Sequence, residues 1–128
     1  MRGGVRLYWT ISGGAATLPI RESWIVHILL HLVVPAIVAG LFFRRDWKVC
    51  YLILVSTMLV DLDHLLANPI YDPQRCSIGF HPLHTFLPIA IYVALCFPKK
   101  TRYVGIGLVI HMALDSIDCQ FTNGVWYV

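Results

Sequence analysis

Charge is what this chain is short of. Asp, Glu, Lys and Arg make up 13% of its 128 residues, about half the roughly 25% of ordinary soluble domains. That leaves too few polar groups to cover the surface of a small water-soluble fold. The net charge of +3 comes from short clusters and not from a basic face or tail, which argues against nucleic-acid binding. No two of the four cysteines stand at metal-ligand spacing, which argues against a thiolate site. A Gly-X-Ser-X-Gly elbow, a phosphate loop and a dinucleotide fingerprint are all missing as well. What is abundant is apolar: 58% hydrophobic residues and a mean hydropathy of +0.70, which excludes a disordered chain. The length suits one domain, and the whole reads as a small integral membrane protein.

Four segments are candidates to cross the bilayer, which takes a helix of about 20 residues. Ser23 to Phe43 and Cys76 to Pro98 are charge-free runs of 21 and 23 residues. Val49 to Val60 and Tyr103 to Leu114 are shorter, 12 residues each. They reach full length only if they continue through Asp61 and Asp63 to Leu66, and through Asp115 and Asp118. No strand alternation is evident, and lipid requires backbone groups to be satisfied internally, so helices are predicted. Residues 1–22 form an N-terminal segment whose Gly3-Gly4 and Gly13-Gly14 and lack of an apolar core argue against a cleaved signal peptide. Residues 23–128 are then a single all-α, integral-membrane four-helix bundle made of two helical hairpins. The first and third loops carry Arg44, Arg45, Lys48, Lys99, Lys100 and Arg102, six of the ten basic residues. The positive-inside rule puts those loops in the cytoplasm and both termini outside.

The polar residues sit where a bland membrane protein would have none. All six histidines lie in or beside the spans, with Asp61, Asp63, Asp115 and Asp118. A mid-membrane Asp costs roughly 2.5–3.5 kcal/mol on an insertion scale, and intramembrane ionisable groups mark function by default. His27 and His31 are four apart and share a helix face. Asp61 and His64 are three apart and share another, with Asp63 pointing elsewhere. His81 and His84 are three apart at the opening of the third span. His111, Asp115 and Asp118 make one stripe. Antiparallel neighbours bring all four sets to one level, opposite the basic loops. A lone buried histidine is ordinarily a hydrogen-bonded core residue, but four sets at one depth call for a common site.

Imidazole with carboxylate suits Zn first, with Fe or Mn as alternatives. The expected ligands are His27, His31, Asp61, His64, His81, His84, His111 and Asp115, enough for one or two divalent transition-metal ions. Such ions lower the pKa of bound water to about 7, and Asp63 or Asp118 could act as general base. Arg75, in the adjacent loop, could steady an anionic group or contact lipid headgroups. Cys76 and Cys119 fall on the outer side, where a disulfide could form, while Cys50 and Cys96 read as small apolar residues.

A shift of 53 or 54 residues gives a weak internal pseudo-repeat. His31 to Pro35 falls on His84 to Pro88, and Met58 to Asp61 on Met112 to Asp115. Each proline lies four residues after a histidine, so its ring frees that histidine's carbonyl from the helix ladder.

The order of these elements resembles that of small bacterial inner-membrane metal-dependent hydrolases of the LexA-binding inner-membrane type. The resemblance rests on His27 or His31, Asp61-Leu62-Asp63-His64, His81-Pro82-Leu83-His84-Thr85 and His111-Met112-Ala113-Leu114-Asp115. In that family the third element carries His-Arg and then Thr-His-Ser; this chain lacks that Arg. The resemblance implies a multi-pass inner-membrane protein with hydrolase activity, and the site's position suggests a lipid or lipid-linked ester or phosphoester as substrate. Two other classes fit parts of the pattern. A di-iron oxidase or desaturase-like enzyme would use His27-x-x-x-His31 and His81-x-x-His84, although the adjacent His pairs of such boxes are missing. A metal or proton transporter would need polar groups through the full depth, and the cytoplasmic halves hold only Ser56 and Thr57. A purely structural metal site is a further alternative. The sequence leaves room for a homo-oligomer.

Overall fold

The computed structural model describes residues 20–72 and 74–128, which excludes most of the N-terminal segment 1–22. The described chain is all-helical. Helix α1 spans Ile20–Phe42 and α2 spans Trp47–Ser56, continuing as a 3₁₀ run over Thr57–Leu66. A 3₁₀ turn at Pro82–His84 leads into α3, Phe86–Leu95, and α4 covers Arg102–Asn123. Three helical stretches are long and apolar enough to cross a membrane: Trp24–Phe42, Trp47–Leu66 and Arg102–Asn123. Leu29, Leu41, Leu52, Leu59 and Leu62 all lie exposed on them, as lipid-facing side chains would.

Helix α4 is the centre of the bundle and packs on α1, α2 and α3. Two apolar clusters divide the interior. Ala39, Cys50 and Leu54 close the end near the basic loops, packed by Phe43 and Tyr103. Val60, Cys76, Ile78, Tyr92, Met112 and Cys119 form the second. Between and beside them lie buried His31, Thr57, Asp63, His81, His84, His111 and Asp115. The protein is thus more polar inside than on its flanks, the inverse of a water-soluble domain.

The third expected span is a correction. The charge-free run Cys76 to Pro98 predicts 23 helical residues, yet only the ten of α3 form an α-helix. That helix is about 15 Å long, half of the roughly 30 Å hydrocarbon core. The run fails to continue because its first half is pinned elsewhere. Cys76 is disulfide-bonded to Cys119 with the Cα atoms 4.9 Å apart. Gly79 takes a positive φ of 88°, a conformation that glycine adopts freely, and its N–H donates to His84 O at 2.9 Å. This is the carbonyl that Pro88 frees from the helix ladder. His81 and His84 therefore stand on a loop and a 3₁₀ turn buried in protein, where non-helical backbone at membrane depth is tolerated.

The second span does run to Leu66, but it tightens at Thr57. Ser56 Oγ donates to Ile53 O at 2.7 Å and Thr57 Oγ1 to Leu54 O at 2.6 Å. Both hydroxyls thus bond carbonyls three residues back, competing with the α-helical ladder. A ten-residue 3₁₀ run is well beyond the usual three or four.

Close approach of α4 to its neighbours depends on two glycines. A Cβ at Gly105 would meet Cys96 N and Leu95 C at 2.6 Å, and one at Gly107 would meet Thr57 Oγ1 at 2.7 Å. Gly40 has nothing within 4 Å. Gly105→Val is expected to reduce stability by about 2 kcal/mol or more, because backbone cannot move aside. Gly40→Ala should change it by no more than about 1 kcal/mol, towards greater stability. Unfolding in mixed detergent micelles measures both.

Candidate metal centre

Four elements each deliver an imidazole or carboxylate to one interior cluster. The i, i+4 pair His27 and His31 comes from α1, and Asp61 from the 3₁₀ run. His84 comes from the turn before α3, and His111 and Asp115 from successive turns of α4. Asp61, His84, His111 and Asp115 each offer one ligand atom, all within 4.8 Å of one another. His84 Nε2 is 3.3 Å from Asp61 Oδ1 and 3.2 Å from Asp115 Oδ2. His111 Nε2 is 3.0 Å and 3.4 Å from the same two atoms. Donors about 2.0–2.1 Å from a tetrahedral ion stand about 3.3–3.4 Å from each other. The residues fit such an ion in type and number, and these four separations of 3.0–3.4 Å are close to that spacing.

Hydrogen bonding gives an independent sign. His84 Nε2 and Asp115 Oδ2 are buried and have no hydrogen-bond partner, despite their proximity. Buried polar atoms are ordinarily paired, and lone pairs aimed at a common centre leave two neighbouring acceptors unsatisfied in this way. On its other edge His84 Nδ1–H donates to Asp63 Oδ2 at 3.1 Å, which leaves the Nε2 lone pair for the cluster. Asp63 also accepts from Leu83 N at 2.8 Å, and Tyr92 O–H donates to Leu83 O at 3.0 Å, so the turn is held from both sides. A carboxylate on the far nitrogen, as Asp63 is here, is the arrangement that orients ligating histidines in metal sites.

A second group, His27, His31 and Asp115, could also hold an ion. His27 Nε2 and His31 Nε2 are each 3.3 Å from Asp115 Oδ1. The third group, Asp63, His64 and His84, lies on the Nδ1 edge of His84, where its atoms already satisfy one another.

Six of the eight expected ligands thus converge: His27, His31, Asp61, His84, His111 and Asp115. His64 belongs to the third group, and its Nδ1 is also 3.5 Å from Asp61 Oδ1. His64 Nδ1–H donates to Asp63 Oδ1 at 3.1 Å, and its Nε2 accepts from Ser77 Oγ at 3.1 Å. His81 is in none of these groups and stacks on His64 with ring centroids 3.7 Å apart.

Of the two expected bases, Asp63 is buried with both oxygens engaged. Asp118 is half-exposed and stands 3.7 Å from His27 Nδ1. It faces a cavity of about 430 Å³ that His27, His64, Ser77 and His81 also line. Arg75 lines that cavity too. Its Nη1 donates to Pro69 O at 2.7 Å and its guanidinium lies 4.8 Å from the Phe80 ring centroid. Sequence reasoning missed Trp24, Tyr71 and Ser77 in the cavity wall, because no spacing marks a residue that a folded loop delivers. The Cys76–Cys119 disulfide forms as the sequence allowed. Cys50 is fully buried, and Cys96 is half-buried with its thiol donating to Tyr92 O.

The match to a family model spans residues 22–122, and the chain belongs to that family, a family of unknown function (DUF6122). No curated protein and no solved structure matches the chain. The matched region contains every candidate ligand from His27 to Asp115, and Asp118 as well.

Asp63→Asn should lower affinity for a divalent ion about 10- to 100-fold, the range for loss of an outer carboxylate. Ser77→Ala, which loses only its bond to His64, should leave affinity near the wild-type value. Competition with a chromophoric chelator measures both. The same titration repeated from pH 6 to 8 should show affinity rising with pH, because ligating imidazoles shed protons on binding metal.

Proposed function

We propose that this protein is a membrane-embedded, metal-dependent hydrolase that acts on a lipid or lipid-linked ester or phosphoester. The observation that carries this reading is the pair of buried, unpartnered ligand atoms, His84 Nε2 and Asp115 Oδ2, within a four-residue donor set. Asp61, His84, His111 and Asp115 would hold the ion, with zinc favoured by the near-tetrahedral spacing. A divalent ion bound there would supply Lewis-acid polarisation, and would acidify a water only by taking it as a fifth ligand.

The chain's own groups fill the remaining roles. Asp118, at the cavity edge, accepts a proton from the attacking water. Asp63 keeps His84 in the tautomer that ligates. The cavity lies between α1 and the 70–81 loop, with exposed Trp24, Ile28, Ile70 and Tyr71 at its wall, so an acyl chain can lie along its apolar side. A transporter is disfavoured, since Ala39, Cys50 and Leu54 close the opposite end of the bundle. The resemblance to LexA-binding inner-membrane hydrolases supports the reaction class. A bacterial inner-membrane location with the site on the non-cytoplasmic side is supported by the basic loops at the far end. The Cys76–Cys119 disulfide beside the site supports it too, since disulfides persist in oxidising compartments.

Zinc-loaded protein in phospholipid micelles should release fatty acid or a phosphorylated headgroup from a panel of fluorogenic lipids. Chelation or Asp115→Asn should abolish release, with helicity by circular dichroism unchanged. Loaded protein that cleaves no ester or phosphoester of the panel overturns the proposal, and an iron-only, oxygen-consuming preparation would establish the oxidase class instead.

A further inference from the structure

The geometry points to a second cation position, formed by His27, His31 and Asp115 Oδ1, whose open side faces the cavity and receives an anionic phosphoester opposite Arg75. This rests on the metal reading of the four-residue group, and it assigns the substrate class of the same site.

Asp115 has two oxygens and uses them differently. Oδ2 faces His84 and His111 at 3.2 and 3.4 Å. Oδ1 faces the opposite way, with His27 Nε2 and His31 Nε2 each at 3.3 Å. His31 is 3% exposed, and its Nε2 has no hydrogen-bond partner. Its Nδ1–H is committed to His27 O at 2.9 Å, so the lone pair lies on Nε2 and points at Asp115. With His31 neutral, its buried Nε2 acceptor and the carboxylate oxygen it faces need a cation between them; protonated, His31 would pair with Asp115 directly.

The two positions differ in access. The first has four protein donors, none of which lines the cavity. The second has three, and three protein ligands with a free position are the pattern of catalytic zinc. His27 is both a donor there and part of the cavity wall. Across that cavity Arg75 is held by Pro69 O and Phe80, with Asp72 Oδ2 4.0 Å from Nη2, and its remaining guanidinium N–H groups are left for a phosphate. Asp118 would repel an anion at this place. A cation beside His27 reverses that field, so phosphate binding should need the second ion.

The ions bound to zinc-loaded protein can be counted by elemental analysis, in wild type, His31→Gln and His111→Gln, with thermal unfolding as a control for folding. Two ions are expected in wild type and one in each variant. Manganese-loaded wild type should give an exchange-coupled paramagnetic resonance spectrum that either variant loses. One ion in wild type, lost in His111→Gln and kept in His31→Gln, overturns the second position and leaves the first intact. No bound ion overturns both. Inorganic phosphate then serves as the probe. It should bind zinc-loaded wild type and bind about tenfold or more weakly to Arg75→Met, the loss of a charge-assisted hydrogen bond. Equal binding by Arg75→Met or by His31→Gln removes the phosphoester assignment.

Discussion

The bundle is organised around one buried carboxylate. Asp115 is 3% exposed and stands within 3.2–3.4 Å of His27, His31, His84 and His111, which come from α1, the pre-α3 turn and α4 itself. An isolated charge at that depth would be strongly unfavourable in a low-dielectric interior. It is tolerable only where imidazoles, a cation or both surround it. The packing of α1 and of the turn before α3 against α4 therefore answers to the same requirement as the chemistry. The apolar flanks, with no water-driven reason to associate in lipid, acquire one through this polar centre. Gly105 and Gly107 let α4 approach closely enough for its stripe to reach the ligands on either side.

The 3₁₀ run and the irregular loop are the local adjustments that this centre demands. In an α-helix Asp61 and Asp63 would point about 160° apart, as 3.6 residues per turn dictates. In the tighter run they point only about 120° apart, and Asp61 faces the cluster while Asp63 faces the Nδ1 edge of His84. Two acids two residues apart can thereby serve one histidine from opposite edges. The loop supplies the complement. It carries His84 inward on a turn fixed by Asp63, Gly79 and Tyr92, a position that a continuous third span would not reach in this way.

How much of this was legible depends on what kind of signal each residue leaves. The charge-free run behind α1 and the i, i+4 spacings of His27 with His31 and His111 with Asp115 are local, and the helices they imply are present. The common depth of the four sets was equally readable, because it follows from antiparallel order alone. The third span was not, since a hydropathy count cannot separate a buried apolar loop from a helix. The clues that mattered, Gly79, Pro82 and the pairing of Cys76 with Cys119, depend on contacts 43 residues apart in the chain. For the same reason His64 and His81 looked equivalent to the other histidines. Only the fold shows that Ser77 and Asp63 occupy both nitrogens of His64 and that His81 stacks on its ring.

The asymmetry between the two ends of the bundle connects these features to function. At the basic-loop end the interior is Ala39, Cys50 and Leu54, closely packed and without a polar side chain. At the other end the polar cluster lies under a cavity bounded by the 70–81 loop and the start of α1. A protein that moved ions would need both ends to open in turn, whereas one that processes a membrane-borne substrate needs only one. The disulfide fixes that loop to α4 at Cys119, next to Asp118, so the cavity wall and the stripe behind it are held in one frame. The inverse distribution of polarity, acids and imidazoles inside and leucines outside, then has a single physical reason. Lipid excludes water from the flanks, so the acids and imidazoles gather in the interior, where they stand within reach of one another.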